Sequence, residues 1–327
     1  MNRKKKYLLI VVLSSILCLG CAEKTSYVRT EGMIWNTLYH ITYKGPKSLR
    51  DSILPVLNEV SRSLSVFDKS SLISELNNSD SVKADSHLIK VYDESKRISK
   101  ISGGNFDPTI SPLIDAWGFG PDHRTNPDTL AIDSILLFVG IEKTKRKGEF
   151  IYKNDTRTRF NFSAIAKGYG CDAVGEMFKR NGVEDYMVEI GGEISLSGKS
   201  PSGSKWRISV DAPKEGIKPG EESTVILELT DVGIATSGNY RNFREENGKK
   251  LAHTISPITG KPYVNSILSA TVVSSTCMEA DALATACMAG KPEEAEKLLR
   301  ETKSEGMLIF EDSLWMTPGF KKYIQNY

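Results

Sequence analysis

The stretch Tyr186-Met-Val-Glu-Ile-Gly-Gly-Glu-Ile-Ser-Leu-Ser197 decides how this 327-residue chain is read. Two strand-like runs, 186–190 and 194–197, flank Gly191-Gly192, and further runs follow at 206–210, 225–229 and 267–273, split by Gly- and Pro-rich turns. Helical spacing resumes only at 278–289 and 292–302. Upstream, alternation of Trp35, Thr37, Tyr39, Ile41 and Tyr43 predicts a strand over 32–43. The spacing of Leu49, Ile53, Leu57, Val60 and Leu64 predicts a helix that contains Pro55. Ser86 is read as the N-cap of a helix stopped by Gly103-Gly104, and 127–138 as another helix. A strand pair, 149–153 and 158–162, then leads into Ser163, read as the N-cap of a helix reaching Asn181 and closed by Gly182. Strands and helices mix without strict alternation, which favours α+β over a doubly wound parallel sheet. A mature chain of about 300 residues can fold as a single large mixed-sheet domain or as two intimate lobes.

The N-terminus is a targeting segment. Arg3-Lys-Lys-Lys6 precedes an apolar run from Tyr7 to Leu19, then Gly20 and Cys21. A small residue before Cys21 fits lipoprotein processing, although Cys18 stands where a Leu is usual; a plain secretory signal or an uncleaved anchor are the alternatives. On this reading residues 1–20 are a signal peptide, 21–30 a lipidated tether, and 31–327 the folded domain. Removing the leader takes Lys+Arg from 43 to 39 against 41 acids, a net charge of about −2. With no basic, aromatic-interleaved patch, nucleic acid is excluded as a partner. Cys171, Cys277 and Cys287 lack metal-ligand spacing and read as small buried side chains.

Polar side chains gather where a core would need none. From 105 to 124 periodicity gives way to Pro108, Pro112, Gly118, Gly120 and Pro121, a structured loop carrying Trp117-Gly-Phe-Gly120. The two aromatics suit stacking on a planar ring, or plugging a core. Ser163 to Gly168 opens a helix whose free N–H groups, with Lys167, form an anion site, or an ordinary capped helix with a surface lysine. Gly191-Gly192 permits close approach of a ligand or another chain, or marks a bulge. His253 lies between a strand-like run and the turn 256–260, placed as a general base or as a hydrogen-bonded, inert histidine. In Glu279-Ala-Asp-Ala-Leu-Ala-Thr285, Asp281 and Thr285 fall one turn apart on one helix face. Their oxygens could share one hard cation whose shell substrate phosphates complete, or Asp281 could cap a neighbouring loop.

Together, Asn105-Phe-Asp-Pro-Thr109 with Trp117-Gly-Phe-Gly120, Ser163-Ala-Ile-Ala-Lys-Gly-Tyr169, Gly191-Gly-Glu193, Thr236-Ser-Gly-Asn-Tyr-Arg241, 253–260 and Ala280-Asp-Ala-Leu-Ala-Thr285 resemble the ApbE family of periplasmic FAD:protein FMN transferases. The resemblance runs from about residue 32 to 290. It implies an ApbE-like, T-fold-like architecture, FAD as substrate, a bound Mg²⁺, and transfer of FMN to a target-protein threonine with release of AMP. It also implies a membrane-associated electron-transfer flavoprotein subunit as acceptor, and a lipid-anchored location at the bacterial cell envelope, facing the periplasm or exterior. By matching motif positions, Asp281, Thr285 and the Ala164 carbonyl would hold the metal. Trp35, Phe67, Trp117, Gly118, Phe119, Asn161, Lys167 and Ile255 would touch FAD, and His253 would deprotonate the acceptor. The chain departs from the family at Trp35-Asn-Thr37 (often Met-Gly-Thr), Phe67 (Tyr) and Asn161 (Asp). These swaps bear on the balance between transfer, a Mg²⁺-dependent FAD pyrophosphatase giving FMN and AMP, and a non-catalytic FAD-binding lipoprotein.

Overall fold

The computed structural model describes residues 26–119, 129–213, 221–238, 243–246, 249–252, 254–263 and 265–325. The leader, Cys21 and His253 lie outside these. Eight antiparallel strands form the central sheet, in the order β1 (Ser26–Ile34), β2 (Thr37–Gly45), β6 (Tyr186–Ile190), β7 (Glu193–Ser197), β10 (Gly233–Gly238), β13 (Ser269–Ser274), β14 (Glu305–Ile309) and β15 (Leu314–Met316). Three smaller sheets accompany it: β3 (Ser81–Lys83) with β4 (Thr144–Lys147) and β5 (Phe150–Lys153), β8 (Trp206–Asp211) with β9 (Ser223–Leu229), and β11 (Phe243–Glu246) with β12 (Lys249–Ala252). The expected α+β class holds.

One face of the sheet carries helices Arg50–Leu64, Ala166–Arg180 and Cys277–Ala289, and the other carries the β8–β9 ribbon with Phe320. Strand alternation makes this two-sided core: Ile194 and Leu196 of β7 pack under the ribbon. Glu193 and Ser195, the residues that alternate with them, take the opposite face, towards the helices. Helix Cys277–Ala289 is enclosed on nearly all sides and built of Ala and other small apolar residues, which is how a helix survives in the middle of a core. Gly168 lets it approach Ala166–Arg180 closely, since a Cβ at 168 would stand 2.4 Å from the Cys277 carbonyl oxygen and 2.8 Å from Asp281 Cβ. Its first amides are satisfied from outside: Asp172 accepts from Cys277 N–H at 3.0 Å and Met278 N–H at 2.8 Å.

Several expectations are corrected. Residues 26–30 are no tether but the start of β1, paired through to Gly45. The single strand over 32–43 is a hairpin, because Trp35 and Asn36 both take positive φ (52° and 60°) and close a two-residue turn without glycine. Asp85, not Ser86, caps its helix, accepting from Leu88 N–H at 2.8 Å. The loop after 105 contains the short helix Ser111–Ala116. Residues 158–162 are not a strand; β5 pairs instead with β3 and β4. Helix Ala166–Arg180 starts three residues beyond Ser163, whose N–H is taken by Asn161 Oδ1 at 2.9 Å. The C-terminal tail carries β15, which forms an edge of the sheet, and a short 3-10 turn over Phe320–Tyr323.

Candidate active site

Where helices Ala166–Arg180 and Cys277–Ala289 meet the ends of β7 and β10, a cavity of about 510 Å³ opens. That is the size class of cofactor and nucleotide sites. It gathers Phe67, Phe119, Asn161, Ala164, Lys167, Ile255, Asp281 and Thr285 from five separate stretches of chain. Thr254, just before the turn at 256–260, and Pro257, within it, line it as well. Trp35, Trp117 and Gly118 are not among the lining residues. Trp35 donates Nε1–H to Ser61 Oγ at 2.6 Å and packs its ring against Gly170, wedging the β1–β2 hairpin onto the helices. Trp117 donates to the Gly260 carbonyl at 2.7 Å and so buttresses the turn beside the cavity.

Three charged groups converge at the floor. Lys167 forms an ion pair with Glu193 Oε1, and Asp281 Oδ2 accepts the Gly168 N–H at 3.0 Å. Burial works against the Lys167 charge, but Asp281 and Glu193 more than offset it and hold its pKa above the ordinary lysine value. Burial, and then the Asp281 charge, push Glu193 upward; burial also raises Asp281, opposed by Lys167. Two carboxyl groups share one ammonium in a poorly solvated place; with both ionised the cluster would carry an excess negative charge, which is why both are pushed upward. Glu193 Oε2 is buried with no hydrogen-bond partner among the described residues. An orphaned carboxylate oxygen of this kind costs free energy unless a cation completes it.

A hard divalent cation fits this donor set. Asp281 could supply a carboxylate, Thr285 a hydroxyl one helical turn on, and Ala164, on the same cavity wall, its backbone carbonyl. Thr285 Oγ1 also lies 3.4 Å from Ser237 Oγ of β10. Among the described residues no cluster of three His, Cys, Asp or Glu side chains offers a closed cage. A cation held by these three donors would need substrate oxygens or water to complete its shell. The Ser163–Gly168 segment proves less available to anions than its sequence implied. The amides of Ser163, Ile165, Ala166 and Gly168 are already engaged by protein oxygens, and Lys167 is neutralised by Glu193.

Neighbouring motif residues hold the wall. Asp107 accepts from Thr109 N–H at 2.8 Å and Thr109 Oγ–H at 2.6 Å with Oδ1, and from Ile141 N–H at 2.8 Å with Oδ2. The Pro108 carbonyl accepts the Asn161 N–H at 2.7 Å, which fixes Asn161 at the rim. With its Oδ1 engaged by Ser163, Asn161 offers a ligand its amide donor where an aspartate would offer only negative charge. Sequence reasoning assigned no role to Glu193. The available signal was a carboxylate on the core face of a strand, two residues from an inward Ser195.

The ApbE family matches residues 35–309. This chain is a member of the ApbE family. Over 97% of its length it is 34% identical to the FAD:protein FMN transferase of Vibrio cholerae, of which the match covers 96%. The structure of the flavin transferase ApbE from Vibrio cholerae superposes with a TM-score of 0.82 at 31% identity, covering 91% of this chain and 99% of that one. The apo form of the Pseudomonas stutzeri flavinyl transferase ApbE gives 0.84 at 26% identity, covering 94% and 99%.

Proposed function

We propose that this ApbE-family chain is a FAD:protein FMN transferase that moves the FMN half of FAD onto a threonine hydroxyl of a target flavoprotein. The observation that carries this reading is the floor of the cavity, where Asp281, Glu193 and Lys167 meet with one carboxylate oxygen left unpaired. In the reaction the hydroxyl oxygen attacks the phosphorus of the FMN half, the bond to the bridging oxygen breaks, and AMP leaves. Asp281, Thr285 and the Ala164 carbonyl would hold Mg²⁺, which when bound neutralises pyrophosphate charge. Lys167 and Glu193 fix the electrostatics of the floor, and Asn161 directs an amide donor at the ligand. Phe67 and Phe119 offer ring faces at the rim. His253, the chain neighbour of cavity-lining Thr254, would take the hydroxyl proton, so His253→Ala is expected to bind FAD and transfer poorly.

The lipoprotein signal motif supports an envelope location with Cys21 as the lipid anchor, and a membrane-associated electron-transfer subunit as acceptor. Cys21→Ala is expected to move the protein from the membrane fraction to the soluble one; retention in membranes would remove the anchor. A single incubation with FAD, Mg²⁺ and a candidate acceptor, read by in-gel flavin fluorescence and AMP analysis, tests the reaction. A fluorescent acceptor band with stoichiometric AMP is expected. Free FMN with AMP and no labelled protein would instead make the chain a pyrophosphatase, and a stable yellow protein without AMP would make it a flavin holder.

A further inference from the structure

On the other side of the molecule a second concavity, of about 850 Å³, opens beside the first strand. Arg29, Arg50, Lys205 and Arg207 stand in its wall against a single acid, Glu31. Arg29 comes from β1, Arg207 from β8, Lys205 from the turn before β8, and Arg50 from the start of its helix. Elsewhere the chain pairs its guanidinium groups: Arg97, Arg146, Arg157, Arg159 and Arg180 each meet a carboxylate. Among the described residues these four cations meet none. Arg50 donates only to Thr30 Oγ1 at 3.2 Å, and Arg207 to Gln325 Oε1 at 2.9 Å. His40, also in the wall, is occupied by Glu189 at 2.6 Å.

Part of the wall belongs to a hydroxyl-rich turn, Ser200-Pro-Ser-Gly-Ser-Lys205. Ser202 Oγ lies 2.8 Å from Ser200 Oγ and 2.7 Å from Ser204 Oγ, so these donors can swing to an incoming anion without leaving a partner stranded elsewhere. The turn is held in place from outside. Tyr27 Oη–H donates to the carbonyls of Lys199 and Ser200 at 2.8 and 3.0 Å, and Asp231 accepts the Gly198 N–H at 3.0 Å.

Four unpaired cations on a concave wall raise a local positive potential in a chain whose mature part is near neutral. Guanidinium forks with hydroxyl donors match a tetrahedral phosphate, which accepts from several directions at once; a carboxylate would be saturated by one fork. The cavity is far larger than inorganic phosphate needs, and Met187 and Trp206 give it an apolar side. We propose that this pocket binds a phosphate ester, with the phosphate held by Arg29, Arg50, Lys205 and Arg207 and the ester substituent against Met187 and Trp206. The ester can come from a soluble metabolite or from a phospholipid headgroup.

The full-length protein in neutral detergent, titrated calorimetrically with inorganic phosphate, glycerol 3-phosphate and dihexanoyl phosphatidylglycerol, tests this. One-to-one saturable binding of an ester, tighter than inorganic phosphate, is expected. It should weaken at least tenfold in the Arg29→Gln/Lys205→Gln double variant while AMP release from FAD stays unchanged. Preference for phosphatidylglycerol would identify the lipid source, and equal or better binding of glycerol 3-phosphate the soluble one. The single variant Arg207→Gln serves the same comparison if the double variant does not fold. The proposal is overturned if no ester saturates, if inorganic phosphate binds as tightly as either ester, or if the folded variant binds unchanged.

Discussion

The segment Asn105–Thr109 and the crossing of helices Ala166–Arg180 and Cys277–Ala289 both bury acids in the wall of one cavity, and they treat them oppositely. Asp107 spends both oxygens on three protein donors, and Thr109 Oγ1 in turn accepts the Gly140 N–H at 2.7 Å. Glu193 pairs one oxygen with Lys167 and leaves the other without a partner. A buried polar group that is fully paired stabilises a loop; one left partly unpaired is held ready for something the chain itself does not supply. The first region has the character of scaffold and the second that of the candidate site, although both read as motifs in the sequence.

The sharpest way to break this contrast is to remove a carboxylate from the second region. Asp281→Ala is expected to lower the FMN transfer rate on the order of 10³-fold, the several kcal/mol a Lewis-acid site supplies, with circular dichroism unchanged. Retention of more than a tenth of the rate would return Asp281 to the role of a plain cap for Gly168. In the first region the loss should appear as stability. Asp107→Ala leaves the Thr109 and Ile141 amides unpaired and should cost about 3 kcal/mol in urea unfolding, with the transfer rate of the folded fraction nearly normal.

Asp172 extends the contrast to a further acid, one that caps a helix but remains poorly solvated. Burial pushes its pKa up to about 6 despite the two backbone N–H groups it accepts. Its folded pKa lies above its unfolded value, so the native state holds an extra proton between about pH 4 and 6. Stability therefore falls as pH rises through that window, by up to ~3 kcal/mol, and is not regained above it. Urea midpoints at pH 4 to 7 should fall less steeply in Asp172→Asn than in the parent, the remaining slope coming from the raised Glu193 and Asp281; parallel curves would remove the assignment. The smallest effect expected is in Glu193→Gln, which keeps shape and removes charge. Transfer should slow by roughly 10- to 100-fold, the scale of a group that tunes rather than forms a metal site, and melting temperature should not drop.

Much of the fold was legible because it is written in local periodicity: β6, β7, β8, β9 and helices Cys277–Ala289 and Pro292–Glu301 fall within a residue or two of their expected positions. The misreadings arose where tertiary partners override local signals. The Trp35-Asn36 turn has no glycine to announce it, and Ile110 forms only an isolated bridge with Arg159 where a strand was expected. Ser163 reads as an N-cap, yet its amide closes a turn with Asn161 before the helix begins. In the site, Asp281 and Thr285 were legible as a helical i, i+4 pair. Glu193 was not, because its meaning depends on Lys167, one helix and one strand away, and on Asp281 far along the chain.

The central claim is that Asp281 and its neighbours form half of a cation site that FAD completes. Calorimetric titration of FAD with and without Mg²⁺, on the parent and on Asp281→Asn, tests it most directly. Mg²⁺ is expected to tighten FAD binding at least tenfold in the parent and to have no effect in the variant. Equal tightening in both proteins, or none in the parent, would contradict the account.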